Sequence, residues 1–236
     1  MASLPRAADA RELLDAPGPF PGLEENLRDL ARLNRLFGGA WLIRAHVARL
    51  LEGTPADWPV TILDVGTGGA DLPMAVVRWA RRSGRPMRVL ALDKSHEVLS
   101  VARRLAAGYP EIVFLQADGL SLPLKREAVD VVLLSLTLHH VEPAEASALL
   151  AELNRTARRG FVVNDLIRNR LAYGLVWLAT RIFATSRIAR HDGPLSVLRA
   201  YTPTEILDLA QRAGLPGIRI VCYPWLARLA VVGRKR

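Results

Sequence analysis

From residue 60 to residue 165 the sequence repeats one unit. An apolar run ends at a polar residue, a turn follows, and a stretch with helical spacing comes next. This rhythm constrains the fold more than any other feature. Apolar runs with little alternation belong to strands covered on both faces, and consecutive parallel strands need a crossover between them. The predicted strands are 60–65, 87–93, 112–118, 129–136 and 160–165. The predicted helices are 72–82, 95–107, a weak one around 119–128, and 143–156. The pattern therefore predicts a doubly wound α/β sheet of five parallel strands with right-handed crossovers.

The flanks carry different signals. Residues up to Gly22 are rich in Ala, Pro and Gly and read as a loose arm with room for one short helix. Leu23, Leu27, Leu30, Leu33 and Leu36 then recur at helical spacing, Gly38-Gly39 interrupts, and a second helix runs to Leu51. After residue 165 the rhythm breaks. Residues 166–198 hold no clear strand and read as a helical insertion plus a loop, with Gly193-Pro194 as a turn. Leu171, Leu175, Leu178 and Ile182 make an apolar stripe in that insertion, with Tyr173, Trp177 and Phe183 beside it. Thr202 or Thr204 can cap the next helix and Gly214 can stop it. Two last strands, 218–223 and about 226–233, are too close in sequence for a parallel crossover and must form an antiparallel hairpin. One domain spanning 1–236 is expected, with residues 1–58 as a helical arm or lid and 166–200 as an insertion over a ligand pocket.

Composition narrows the function. Half of the 236 residues are apolar and 23% are charged, which suits a globular chain. The formal net charge is +9, but the arginines are scattered in short clusters and the one basic run is the tail Arg234-Lys235-Arg236. Diffuse charge without a motif does not favour nucleic acid as a partner. Cys222 is the one cysteine and lies in an apolar strand-like run, where it reads as a small core residue. No Cys/His ligand spacing occurs, so no metal is expected, and a reducing, cytoplasmic setting fits. The N-terminal stretch lacks a secretory apolar region. No run is long enough for a membrane span, although membrane-surface contact stays open.

In a doubly wound sheet, ligands bind at the carboxyl ends of the strands. Strand 1 ends in Asp64 and the turn Gly66-Thr67-Gly68-Gly69-Ala70. Strands 2 and 3 end in Asp93 and Asp118, strand 4 in Ser135-Leu136 followed by His139-His140, and strand 5 in Asn164-Asp165. A dinucleotide fingerprint needs a third glycine where Asp71 stands, and a carboxylate there repels a pyrophosphate. A Walker lysine is also absent. Three consecutive acidic strand ends suit a ligand that offers hydroxyls and amines.

The segments "LDVGTGGADLP", "VLALDKS", "FLQADGLSLPL", "VDVVLLSLTLHHV" and "GFVVNDL" resemble the ordered motifs of class I S-adenosylmethionine-dependent methyltransferases, most closely the small-molecule branch that includes the ubiquinone/menaquinone methylases. The resemblance spans about residues 60–165. Ala70 departs from it, since the family often has glycine there. It implies a seven-stranded sheet of order 3-2-1-4-5-7-6 with the last strand antiparallel, and S-adenosyl-L-methionine as cofactor. It also implies that Gly66, Thr67, Gly68 and Asp71 line the cofactor, with Asp64 anchoring the turn or the amino group. Asp93 would accept from the ribose hydroxyls, Lys94 would flank the adenine, and Asp118 with Gly119 would take the adenine amino group. Ser135 and Leu136 would border the methionine end.

The acceptor is less constrained. Base-modifying amino methyltransferases carry an Asn/Asp-Pro-Pro-aromatic motif after strand 4, and Ser135-Leu136-Thr137-Leu138 stands there instead. His139 or His140 can take a proton from a hydroxyl, and so can His191 in "RIARHDGPLS" next to Asp192. Asn164, Asp165, Tyr173, Trp177 and Asp192 are the expected acceptor contacts. The expected reaction is O-methylation of a small, lipophilic, hydroxylated aromatic acceptor. N- or C-methylation, RNA methylation and an NAD-type oxidoreductase remain alternatives, the last opposed by Asp71.

Overall fold

A computed structural model describes residues 4–15 and 21–235. Residues 16–20 of the predicted arm and Arg236 of the basic tail lie outside the described residues. The sheet has seven strands: β1 (Val60–Val65), β2 (Met87–Asp93), β3 (Ile112–Gln116), β4 (Val129–Ser135), β5 (Ala157–Leu166), β6 (Arg219–Tyr223) and β7 (Arg228–Arg234). Their order is β3-β2-β1-β4-β5-β7-β6. Strands β1 to β5 pair in parallel, whereas β7 runs antiparallel to both β5 and β6. The order reverses between β1 and β4, so the crevice at their carboxyl ends is the topological switch point.

The helices are α1 (Leu23–Leu36), α2 (Gly39–Leu50), α3 (Asp71–Arg82), α4 (His96–Leu105), α5 (Pro143–Thr156), α6 (Arg170–Phe183), α7 (Arg187–Arg199) and α8 (Pro203–Arg212). Central β4 is buried over its whole length but for Ser135, as its unalternating Val/Leu run requires. Phe161 and Leu134 lie in the core on one face, Val162 and Leu133 in that on the other. Thr202 caps α8 in a capping box with Glu205.

Four expectations need correction. Residues 119–128 are not helical. Helix α5 holds that loop instead: Leu122 N–H donates to Glu152 Oε1 at 3.2 Å, and Arg155 Nη2 donates to the Leu124 carbonyl at 2.8 Å. Gly193-Pro194 is not a turn, because α7 runs through it. Pro194 has no N–H for the Arg190 carbonyl one turn back, and Arg181 Nη1 donates to that oxygen at 3.4 Å. The buried stripe of α6 is Ala172, Val176, Ala179 and Thr180, while Leu178 and Ile182 are exposed. Small residues face inward because α7 comes close: a Cβ on Gly193 would lie 2.7 Å from Thr180 Cγ2. Cys222 is exposed on edge strand β6, where no side chain is fully buried.

The arm is also not loose where it is described. Ala7 N–H donates to the Leu198 carbonyl at 3.1 Å, and Arg168 Nε to the Leu4 carbonyl at 2.7 Å. A short 3-10 turn at Leu13–Asp15 offers the Leu13 and Leu14 N–H groups to the two oxygens of Asp192 at 2.9 and 3.1 Å. Asp29 on α1 accepts from the Thr185 and Ser186 N–H groups, both at 2.7 Å, which fixes the α6–α7 link above the sheet.

Candidate active site

A cavity of about 460 Å³ opens at the switch point. Its floor is the β1 turn. Gly66 has φ 67° and Gly68 φ 52°, so the chain folds back at the end of β1. A Cβ on Gly66 would lie 2.6 Å from Thr137 Oγ1, which excludes other residues at the floor. The turn is cross-braced. Thr67 Oγ1 donates to Asp64 Oδ2 at 2.7 Å, Gly68 N–H donates to Asp93 Oδ2 at 3.1 Å, and Ser95 N–H donates to Asp93 Oδ1 at 3.0 Å. Asn34 on α1 reaches down and donates to Asp71 Oδ2 at 2.7 Å.

Electrostatics at this end favour a ligand with positive charge and hydrogen-bond donors. Burial lifts the Asp64 carboxyl to about 7, against the Thr67 hydrogen bond, with the charges of Asp71 and Asp93 adding to the rise. Burial likewise raises Asp71, against Asn34, and Asp93, against the Ser95 and Gly68 amides. The buried carbonyl oxygens of Asn26 and Asn34 have no hydrogen-bond partner among the described residues, and both residues line the cavity. Arg228, at the start of β7, is buried at the same wall and donates to Asn164 Oδ1 at 3.2 Å. Burial lowers its guanidinium to about 10, against the carboxylates of Asp165 and Asp71, so it stays charged at neutral pH.

S-adenosylmethionine fits this set of groups. Each Asp93 oxygen keeps acceptor capacity for a ribose hydroxyl, the carboxylates suit an ammonium and a sulfonium, and Arg228 offers a cation to a carboxylate. Among the described residues, the cavity lining holds one lysine, Lys94, where a polyphosphate would need several cations and backbone N–H groups.

The other end is built from distant segments. His139 and His140 form a short turn after β4, with ring centroids 4.3 Å apart. His139 Nδ1 lies 2.6 Å from Asp165 Oδ1, while Asp165 also accepts from the His139 and Leu166 N–H groups. Burial alone would raise the Asp165 carboxyl, but His139 and these hydrogen bonds bring it below the ordinary value. Glu12, carried in by the arm and buried, places Oε1 3.8 Å from His139 Nε2 and Oε2 3.7 Å from His140 Nε2. Ser196 Oγ donates to Glu12 Oε1 at 2.9 Å, and Arg199 Nη1 stands 3.9 Å from it. Leu30 and Leu33 of α1, Phe37 just after it, Leu14 of the arm, Val176 of α6 and Ile188 of α7 supply the apolar lining.

Of the residues expected at the site, Asp64, Gly66, Thr67, Gly68, Asp71, Asp93, Lys94, Asp118, Gly119, Ser135, Leu136, His139, His140 and Asp192 line this one cavity. Asp118 is exposed at its rim and accepts from Leu120 N–H at 2.9 Å. Asn164 and Asp165 do not line it but hold residues that do, since Asn164 Nδ2 donates to Ser135 Oγ at 2.6 Å. His191, Tyr173 and Trp177 are not brought to it. His191 sits on the outer side of α7 with its side chain 53% exposed, 2.8 Å from Asp192. Trp177 is exposed beneath the Arg181 guanidinium, and Tyr173 packs against the core instead. Glu12, Asn26, Ser196 and Arg228 were not foreseen. Nothing in "ARELLD" or at the start of β7 marks a side chain aimed into a distant cavity.

A family model described as a methyltransferase domain matches residues 62–160. A curated relative, the 2-phytyl-1,4-naphtoquinone methyltransferase of Thermosynechococcus vestitus, is 28% identical over 181 residues, 73% of this chain and 78% of the relative. Among solved structures, a SAM-dependent methyltransferase from Aquifex aeolicus superposes with a TM-score of 0.61 at 18% identity, covering 91% of this chain and 98% of that one. Magnesium protoporphyrin IX methyltransferase from Synechocystis PCC 6803, solved with bound SAH, gives a TM-score of 0.57 at 18% identity over 93% of this chain and 90% of that one. At such identity the structural likeness is one of fold.

Proposed function

The chain is a class I S-adenosylmethionine-dependent methyltransferase, and we propose that it transfers methyl to a hydroxyl oxygen of a small, lipophilic aromatic acceptor. The observation that carries this reading is a single cavity with two unlike ends. Carboxylates and amides on the β1 and β2 ends face one half, and the Glu12–His139–His140 group faces the other under an apolar lining. A ring with a hydroxyl matches that second half, because leucines and a phenylalanine take the ring and the polar group takes the hydroxyl. The relatives support a ring-bearing acceptor by name, one being named for a phytyl naphthoquinone and one for a magnesium porphyrin.

When bound, the cofactor supplies an electrophilic sulfonium methyl. The protein's own share is to bind, align and ionise. Asp93 would take the ribose diol and Arg228 the carboxylate. The apolar lining keeps water from the nucleophile. A phenol of pKa about 10 is mostly protonated at neutral pH, so its proton must be removed as it reacts. The groups placed to drive that ionisation are His139 and His140, His139 being oriented by Asp165. His191, outside the cavity, has no part in it.

The test is turnover of a panel of alkylated phenols and hydroquinones by wild type, His139→Ala, His140→Ala and His191→Ala at saturating cofactor. Loss of about a hundredfold in either of the first two, within the range of acid–base contributions, with His191→Ala near wild type, supports the reading. Equal rates in all four overturn it.

A further inference from the structure

The Glu12–His139–His140 group has a geometry that proton removal alone does not require. One ligand-type atom from each of the three residues lies within 4.8 Å of the other two. The two carboxylate oxygens of Glu12 each approach one imidazole, Oε1 at 3.8 Å from His139 Nε2 and Oε2 at 3.7 Å from His140 Nε2. Four-coordinate zinc with bonds of about 2.0–2.2 Å needs ligand atoms about 3.4 Å apart. Each Glu12 approach is within a few tenths of an ångström of that spacing, and no separation in the cluster has to close by more than about 1.4 Å. That residue rides on the arm, which the Leu13 and Leu14 amides hang on Asp192.

The surroundings are those of a ligand set. The 2.6 Å contact from His139 Nδ1 to Asp165 puts the ring proton on that nitrogen, which turns the Nε2 lone pair towards Glu12. A ligating histidine is commonly held by a carboxylate in this way, which fixes its ring and makes it more basic. Arg199 opposes a cation, standing 3.9 Å from Glu12 Oε1, and Ser196 shares that oxygen. Arg199 and Arg228 offset the charges of Glu12 and Asp165, so what favours a cation is the gathering of three ligand atoms and not an excess of negative charge. Two imidazoles and one carboxylate suit zinc-like transition cations better than magnesium or calcium, which prefer all-oxygen shells. Three protein ligands leave a fourth position open, and all three residues line the cavity.

We propose that Glu12, His139 and His140 bind one divalent transition cation of the zinc class, with Asp165 as the positioning residue behind His139, and that the open position takes the acceptor's hydroxyl oxygen. The second half rests on the acceptor reading above; the first half does not. Coordination lowers the pKa of a bound hydroxyl, whose proton then leaves to water. The oxygen's electron pair forms the new C–O bond while the methyl–sulfur bond breaks, and the sulfur keeps that pair as neutral thioether. In the loaded enzyme the imidazoles act through the cation.

The test is a titration of chelator-treated protein with cobalt(II) chloride, followed by its visible absorption, in the absence of acceptor. The expected result is one equivalent bound with the intense bands of a four-coordinate site, displaced by zinc. Glu12→Gln, nearly isosteric, and His140→Ala, at a half-exposed position, should each weaken binding about tenfold or more. Both should still bind S-adenosylmethionine, which shows that they fold. Adding a phenol should then change the cobalt spectrum. Absence of cobalt bands, or equal binding in wild type and both variants, overturns the cation site. A spectrum indifferent to phenol overturns the acceptor's place on it. Methyl transfer that persists in chelator does the same while leaving the methyltransferase reading intact.

Discussion

Asp93 ties the turn after β1 to the turn after β2 at the cavity wall. Its two oxygens take the Gly68 and Ser95 amides, and what acceptor capacity is left faces the cavity. Asp93→Ala should weaken S-adenosylmethionine binding about tenfold or more by calorimetry, since one charged hydrogen bond contributes about 1.5–3 kcal/mol. Unchanged affinity with an unchanged melting curve would refute the ribose role. Asp64 makes a pH prediction. Its folded value of about 7 lies above the ordinary 3.8, so the folded state binds this proton more tightly than the unfolded chain. The Asp64 contribution to the stability of the cofactor-free protein should therefore be fully present below about pH 4, fall as pH rises towards about 7, and be lost above that value. Asp71 and Asp93, raised by the same burial, add to the slope. Asp64→Asn keeps an acceptor for the Thr67 hydroxyl and should flatten the decline in a pH series of urea melts. An identical slope in the variant would show that Asp64 does not carry it.

At the scale of elements, the arm and α7 decide whether the acceptor end is complete. Asp192 on α7 holds the Leu13 and Leu14 amides, and Ser196 one turn later holds Glu12. Asp192→Ala removes two charge-assisted bonds, each worth about 1.5–3 kcal/mol. It should speed hydrogen exchange at Leu13 and Leu14 by about tenfold or more and lower turnover while sparing cofactor affinity. Exchange at the wild-type rate would mean that the arm is held by its other contacts. These elements are also where the sequence was least legible. The cofactor half could be read because a parallel sheet sends every strand end to one crevice, so chain order alone gathers Asp64, Asp93 and Asp118. Gly193-Pro194 misled because local propensity favours a turn, whereas in the fold Gly193 packs closely on α6 and Arg181 donates to the Arg190 carbonyl that Pro194 leaves without an N–H. Leu178 and Ile182 misled for a related reason, as the close approach of α7 gives the inner stripe to small residues. Glu12 and Arg228 reach the cavity through an arm and a hairpin whose docking no local pattern encodes.

For the whole molecule, the sheet order β3-β2-β1-β4-β5-β7-β6 places the switch point under α1, α6 and α7, where the cavity proposed for both cofactor and acceptor opens. No helix among the described residues is long and apolar enough to cross a membrane. On the proposed reading, specificity for the acceptor ring belongs to the leucines of α1 and to Val176 and Ile188, which line the cavity. Leu33→Ala should admit bulkier rings and weaken binding of small ones, read as opposite changes in kcat/KM across a size series. Parallel changes for all sizes would place the ring elsewhere. The most direct measurement for the account as a whole is the fate of the methyl group. S-adenosylmethionine labelled with carbon-13 in the methyl is incubated with protein and a hydroxylated aromatic acceptor, and the product is examined by carbon NMR. The account predicts the label in a methoxy group, with the transfer lost in His139→Ala. Label on ring carbon or on nitrogen would contradict it.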